Sequence, residues 1–383
     1  MSENSNCNSL SFVNLNVYGS LEEKLKNCDF KNLINNHDFI SLSECWINKK
    51  SSINLEGYEK IVKCRKRLKK ARRDSGGIAV YYRKNLSSGV KEINWDFEDG
   101  VIFKLCKDFF NLQNDIYVLI PYMRPVNSSR CNVDTGIDIF DILSNKLAEL
   151  TDLGDIILMG DFNARTGTLP DYAEFEDKDD HHSNYNIPVI PFTNNKIFKD
   201  DIVAAGLTLQ RKNTDKSTNE YGTKLLNLCK MANILILNGR SPGDVEGNLT
   251  SCNHRGSSTI DYIGVSKNII AYDIQFNIGS FNEHTDHAPL FFKLQNLNCC
   301  FCSNKTNNVQ CKPKWQNINE DKYVSEMNSK DVNDIISEMI NSCELENLTS
   351  DVAENMLCKL CDLMLPVCNQ NSHCIIDNNV QKK

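Results

Sequence analysis

The chain has 383 residues, 40% hydrophobic and 24% charged, with a net charge of −7 and a pI of about 5.6. Its length leaves room for two domains, and its acidic balance excludes a protein that coats nucleic acid by bulk charge while leaving a local basic face open. No apolar run is long enough to cross a bilayer, and the polar start MSENSNCNSLSF lacks the order of a secretory signal, which places the expected action inside the cell.

In chain order, residues 11–17 and 38–42 read as short buried strands, and Leu21, Leu25, Cys28, Leu33 and Ile34 recur between them at helical spacing. Gly76-Gly77 opens a strand, IAVYY, after a turn. Segments 101–106 and 115–120 suit a strand pair joined by a polar turn. Ile139, Phe140, Leu143, Leu147 and Leu150 mark a helix that leads into the apolar strand 155–159 and then Gly160-Asp161-Phe162-Asn163. Residues 170–200, acidic and irregular, read as a surface insertion. Leu225 to Ala232 reads as a helix, followed by strands at 234–237, 259–265 and 287–294.

Helices alternating with many short strands need a sheet core covered by helices, an α/β (α+β) class. After residue 296 the composition shifts to Cys, Asn, Lys and Gln. The expected division is therefore a first domain at 1–296 and a Cys-rich, partly helical tail at 297–383, with helices at 320–346 and 350–366. Of the 17 cysteines, Cys28, Cys45, Cys106 and Cys229 sit in apolar segments and read as small buried hydrophobes in a reducing compartment. Cys358 and Cys361 have metal-like spacing, but NMLCKLCDLML fits an apolar helix face, and the core reading is preferred to zinc.

Polar side chains that follow directly on apolar strands are held at a sheet edge, where a cleft can form. Asn16 ends the first strand and Glu44 the second; Asp161 and Asn163 follow DIILMG; Asp261 lies in STIDYIGV; Asp286 and His287 precede APLFFKL. Taken singly, each is more often a turn residue than a catalyst. Together they are what phosphodiester hydrolysis calls for: hard oxygens for a magnesium ion, neutral carboxamides that donate to phosphate, and a His whose tautomer an Asp can fix.

The ordered set LNVYG, LSECW, PYMRP, MGDFNAR, STIDYI and TDHAPL resembles the endonuclease/exonuclease/phosphatase superfamily. SGGIAVYYRKNL, GDFNARTGTLPDY, YGTKLLNLCKMANILILNGRSPGD and GNLTSCNHRGSSTIDYI narrow the likeness to the endonuclease domain of non-LTR retrotransposons, over roughly residues 10–295. The resemblance implies a DNase I-like, four-layered sandwich of two sheets flanked by helices, with the site at one end, and a DNA endonuclease that uses Mg2+ or Mn2+. Carried over by motif, Glu44 is the principal metal ligand and Asn16 supports the metal side by hydrogen bonding. Asp161 orients or deprotonates the attacking water, or protonates the leaving group. Asn163 contacts the phosphate, and Tyr122 hydrogen-bonds it. Asp261 pairs with His287, which donates to the phosphate, and Asp286 is a second metal-side carboxylate or a partner in that network. The chain departs from apurinic endonucleases at Tyr18, where they carry an acid.

Residues 63–73, KCRKRLKKARR, hold eight basic residues among eleven: Lys63, Arg65, Lys66, Arg67, Lys69, Lys70, Arg72 and Arg73. This family places that loop at the rim of the nucleic-acid face, so the run is the expected DNA contact, with Arg165 and Arg240 as further candidates; the bland reading is a solvated loop. The tail resembles the linker that precedes a reverse transcriptase in retrotransposon polyproteins, or is a small helical interaction module. The expected protein is a monomer that acts on DNA, in the nucleus when it does so. A phosphatase or sphingomyelinase on the same scaffold, and an inactive nucleic-acid-binding relic, are the competing readings.

Overall fold

The computed structural model describes residues 7–67, 71–125, 138–172 and 199–299. Both expected tail helices, Cys358 and Cys361, and most of the 170–200 insertion lie outside the described residues. The chain opens with β1 (Cys7–Asn16), β2 (Phe39–Ser43), β3 (Tyr58–Lys63) and β4 (Ile78–Arg83). A second sheet follows with β5 (Val90–Ile93), β6 (Gly100–Leu105), β7 (Ile116–Pro121), β8 (Asp155–Asp161) and β9 (Ile234–Ile236). A hairpin of β10 (Ser251–Asn253) and β11 (Gly256–Ser258) leads to β12 (Asp261–Ser266), which joins the second sheet. The chain then returns to the first sheet with β13 (Asp273–Ile278) and β14 (Leu290–Cys299). The sheet orders are β13-β14-β1-β2-β4-β3 and β5-β6-β7-β8-β12-β9.

Alternation along each strand builds the layers. In β1, Leu10 and Phe12 join the core between the sheets, whereas Val13 and Leu15 join the outer core of the first sheet with Leu21, Phe30 and Ile34. The outer face of the second sheet, Ile102, Leu119, Ile156 and Leu158, is covered by helices Ile139–Thr151 and Glu220–Met231 through Phe140, Leu143, Leu147, Leu225 and Leu226. Each of these helices starts on a capping side chain: Asp138 accepts from the Phe140 amide, and Asn219 from the Gly222 amide. The result is a four-layered sandwich of two mixed sheets flanked by helices.

Several details differ from the sequence reading. The helix expected after β1 is two short helices, Leu21–Lys24 and Cys28–Ile34, because the Asn27 carboxamide accepts from the amides of Asp29 and Phe30 and restarts the turn. β6 and β7 are joined through a short helix, Lys107–Phe110. β14 starts at Leu290, leaving His287 in the approach to it. Cys45 and Cys229 are buried as expected, but Cys28 is exposed and Cys106 only partly covered. Asp171, at the start of the supposed surface insertion, is fully buried against Arg240.

Candidate active site

Strand direction gathers the polar residues. β1 and β2 run parallel, as do β7 and β8; β14 is antiparallel to β1, and β12 to β8. The ends of β1, β2, β7 and β8 and the starts of β12 and β14 therefore share one edge of the sandwich. Asn16, Glu44, Tyr122, Asp161, Asn163, Asp261, Asp286 and His287 stand at these strand ends or just beyond them.

Asp161 is central. It sits opposite Asp261 in the β8–β12 ladder and is bridged to Tyr122 on its other side. Its Oδ2 accepts from Asn16 Nδ2 at 2.8 Å, a bond that crosses from one sheet to the other, and its Oδ1 accepts from the Asn163 amide at 2.9 Å. Asn16 Oδ1 in turn accepts from the Tyr18 amide at 2.9 Å. Both ends of the Asn16 carboxamide are thus engaged, which holds Asn16 as a bracket between the sheets. Burial first, then the charge of Asp261, push the Asp161 carboxyl up to about 8, against the pull of His287 and its two donors.

His287 Nδ1 lies 2.9 Å from Asp261 Oδ2. The loop carrying it is tied to the small hairpin: His287 bridges Ser251, the Cys252 amide donates to Asp286 O at 2.8 Å, and the Ala288 amide donates to Thr250 O at 2.8 Å. Burial alone would lower the imidazole, but Asp261, Asp161 and Asp286 outweigh it and hold His287 at about 10. These charges favour the protonated imidazole, whose Nε2 lies 3.8 Å from Asp286 Oδ1.

Just past β7 in the second sheet, the Tyr122 hydroxyl donates across to Glu44 Oε1, which follows β2 of the first sheet. Burial, then Glu44 and Asp161, keep this phenol well above its ordinary value, so it stays a donor. Glu44 has φ 51 and Asn163 φ 48, with Tyr18, Ser20 and Trp46 also left-handed. Asn tolerates this region; for Glu, Tyr and Trp it costs about 1–3 kcal/mol each, a strain that gathers at functional sites. The Asn163 carboxamide donates to Met123 O at 2.7 Å, and Asn219 holds the same loop by donating to Asn163 O at 3.0 Å.

Among the described residues one cluster of side chains has the spacing to hold a metal ion. Ligand atoms of Asp161, Asp261 and His287 lie within 4.8 Å of one another. Asp161 accepts from Asn16 and from the Asn163 amide, and Asp261 is bonded to His287 Nδ1. Glu44 and Asp286 are the remaining carboxylates at this edge of the sandwich. Glu44 is only partly buried, and Asp286 Oδ1 is buried with no hydrogen-bond partner among the described residues, the kind of unsatisfied hard oxygen that a divalent cation completes.

The basic run is not uniform. Arg65 points inward: Nε donates to Asp99 Oδ1 at 2.7 Å, the side chain is 6% exposed, and the guanidinium lies 5.4 Å from the centre of the Tyr122 ring. This corrects its reading as an open DNA contact, because a buried Asp99 neutralises it. Lys63 Nζ donates to Trp95 O at 2.8 Å. Lys66, Arg67, Arg72 and Arg73 are exposed, and Arg73 lies 3.8 Å over the Trp46 ring. Lys69 and Lys70 lie outside the described residues. Arg165 is held by Asp215 through two bonds of 2.7 and 2.6 Å, which neutralises it at the rim. Arg240 is wholly buried against Asp171, so it is a core ion pair and not a candidate for phosphate.

Three residues beside the site escaped the sequence reading. Asp99 joins Arg65 to Arg124, and Arg124 also reaches Glu98. Arg124 lies inside the PYMRP motif, which was the available signal. Lys24 donates to Val17 O and has Asp286 as its leading charge partner; burial lowers it. Its helical spacing gave no hint of that.

This geometry defines a two-sheet sandwich with a carboxylate–imidazole centre built across both sheets. The chain belongs to the Endonuclease/Exonuclease/phosphatase family, whose model matches residues 13–263, from β1 into β12. Its superfamily comprises hydrolytic nucleases and phosphatases that typically depend on a divalent metal. Among solved structures, an AP endonuclease from Leishmania major shares 14% identity, covering 75% of this chain and 88% of that one, at a TM-score of 0.50. A 3'-5' exonuclease from Neisseria meningitidis shares 13%, covering 75% and 100%, at 0.46. The endonuclease domain of TRAS1, a telomere-specific non-LTR retrotransposon, shares 11%, covering 76% and 99%, at 0.44. At such identities the likeness is one of fold. Comparison with curated protein sequences finds no match. Among the described residues no helix is long and apolar enough to cross a membrane.

Proposed function

We propose that the chain is a divalent-metal-dependent endonuclease that hydrolyses phosphodiester bonds in DNA. The observation that carries this reading is Asp161, clamped by donors from Asn16 and Asn163 and set directly opposite the Asp261–His287 pair. Glu44 and Asp286 would hold Mg2+ or Mn2+, which when bound stabilises charge on the phosphate and on the leaving oxygen.

Asp161, with its raised proton affinity, takes the proton of the attacking water. His287, charged and oriented by Asp261, donates through Nε2 to a phosphate oxygen; Tyr122, whose one hydroxyl hydrogen goes to Glu44 in the free site, would turn it to the phosphate once Glu44 holds the metal. Asn163 keeps its carbonyl end and one amide hydrogen beside the phosphate position after its bond to Met123 O. The exposed cations Lys66, Arg67, Arg72 and Arg73 suit the backbone of a polymer more than a small phosphoester. The linking phrases SGGIAVYYRKNL and GNLTSCNHRGSSTIDYI support the finer reading, nicking of target DNA for retrotransposition by a monomer working in the nucleus, with a reverse transcriptase in a longer polyprotein.

The test sets supercoiled plasmid beside 4-nitrophenyl phosphate, each with magnesium. Nicking of plasmid with little release from the monoester is expected; the reverse would make the chain a phosphatase.

A further inference from the structure

We infer that Tyr18, Trp46 and Arg73 form a stacking subsite for one unstacked nucleobase next to the bond that is cut. The inference rests on the nucleic-acid reading above and names what that site grips besides phosphate.

Tyr18 stands two residues after Asn16, and Trp46 two residues after Glu44. They flank the cross-sheet centre from the tips of the parallel pair β1–β2. Their rings meet at a centroid distance of 5.5 Å and an angle of 55°. Arg73 covers the Trp46 ring at 3.8 Å and has no carboxylate partner among the described residues. Tyr18 is nonetheless 55% exposed, a large aromatic left in solvent beside a catalytic cleft.

Ordinary packing does not account for this stack. Tyr18 and Trp46 both hold left-handed backbone, at φ 47 and 49, a conformation that bulky side chains avoid unless the surroundings impose it. Here they are imposed. The Val17 amide donates to Ser43 O at 3.0 Å, Gly19 to Glu44 O at 2.7 Å, Cys45 to Gly77 O at 3.1 Å and Trp46 to Gly76 O at 2.8 Å. Gly19, at φ +87, leaves room for the indole; a Cβ there would fall 2.0 Å from the Trp46 ring. The backbone is thus locked to present two aromatic rings and a guanidinium at the rim.

What a ring offers is a π-face, and every nucleobase has one, so stacking binds bases without regard to sequence. Arg73 adds a cation to the same group of side chains, suited to the phosphate that accompanies such a base. A base can stack there only where it has left its own duplex stack, so the subsite favours DNA that is unpaired, gapped or distorted beside the scissile phosphate.

The experiment measures binding of the full chain, with calcium in place of magnesium, to two oligonucleotides of equal length: oligothymidylate, and an abasic tetrahydrofuran oligomer with the same phosphates and no bases. Wild type is expected to bind oligothymidylate about tenfold more tightly, the worth of one stacked base. Tyr18→Ala should erase the difference, and Tyr18→Phe should keep it. Equal binding of the two oligomers by wild type, or a preference that survives in Tyr18→Ala, overturns the stacking subsite while leaving metal-dependent plasmid nicking intact. No binding to either oligomer together with no nicking overturns the nuclease reading as well.

Discussion

Between the sheets, Phe12 stacks on Phe39 at 4.7 Å and Phe39 on Phe103 at 5.5 Å, with Val80, Val118 and Ile157 around them. At the ends of the same strands the rules reverse. Two carboxylates face each other across a ladder, an imidazolium is buried beside them, and bulky residues hold left-handed backbone. The middle of the sandwich supplies the stability against which its end is strained. Stability and activity should therefore be separable by position along a strand.

The largest effect falls in the middle. Phe39→Ala should destabilise the chain by about 3–5 kcal/mol, read as a lower urea midpoint, while the protein that remains folded cleaves at the wild-type rate. A fall in rate without loss of stability would mean that the two regions are not independent. At the end, Asp261→Asn should lower the rate about 100- to 1000-fold, because His287 loses the charge that keeps it protonated, and should move the urea midpoint far less than Phe39→Ala does.

The pH dependence sharpens the contrast. Asp161 must be ionised to accept a proton, so kcat/KM should climb as pH rises towards about 8. His287 must be charged, so kcat/KM should fall as pH passes about 10. A profile that falls through 8 instead would make Asp161 the acid for the leaving group. The raised Asp161 carboxyl lowers stability as pH rises from about 3.8 to about 8, and His287 acts in the same direction. Its folded value of about 10 lies above the free value of about 6.5, so its contribution is complete below 6.5 and is lost as pH rises through 10. Urea midpoints of wild type and His287→Gln across that window should converge at the alkaline end. The smallest effect belongs to Tyr18→Asn. Asn tolerates left-handed backbone, so thermal melting should show stability kept or raised by less than about 1 kcal/mol.

Much of this division is legible in the sequence. Strands buried on both faces, β2, β7 and β8, read as apolar runs, and the polar residues that end them are the ones the topology gathers. The strands that escaped notice are β3, β5, β13 and the hairpin pair β10 and β11. β3, β5 and β13 lie at sheet edges and carry charged or polar side chains in YEKIVK, VKEI and DIQFNI, which discourage further pairing. Long-range ion pairs were also hidden. Nothing local says that Arg65 turns inward to Asp99 or that Arg240 is buried on Asp171; both partners are set by tertiary packing. The same holds for Tyr18 and Trp46, which the sequence separates and β1–β2 pairing joins.

The central claim is that one corner, built from both sheets, performs metal-dependent phosphodiester hydrolysis. The most direct measurement is nicking of supercoiled plasmid in magnesium by wild type, Glu44→Ala and His287→Ala, with and without EDTA. The account predicts nicking by wild type that EDTA abolishes, and a loss of about 100-fold or more in each variant. Nicking that persists in EDTA, or at the wild-type rate in either variant, would contradict it.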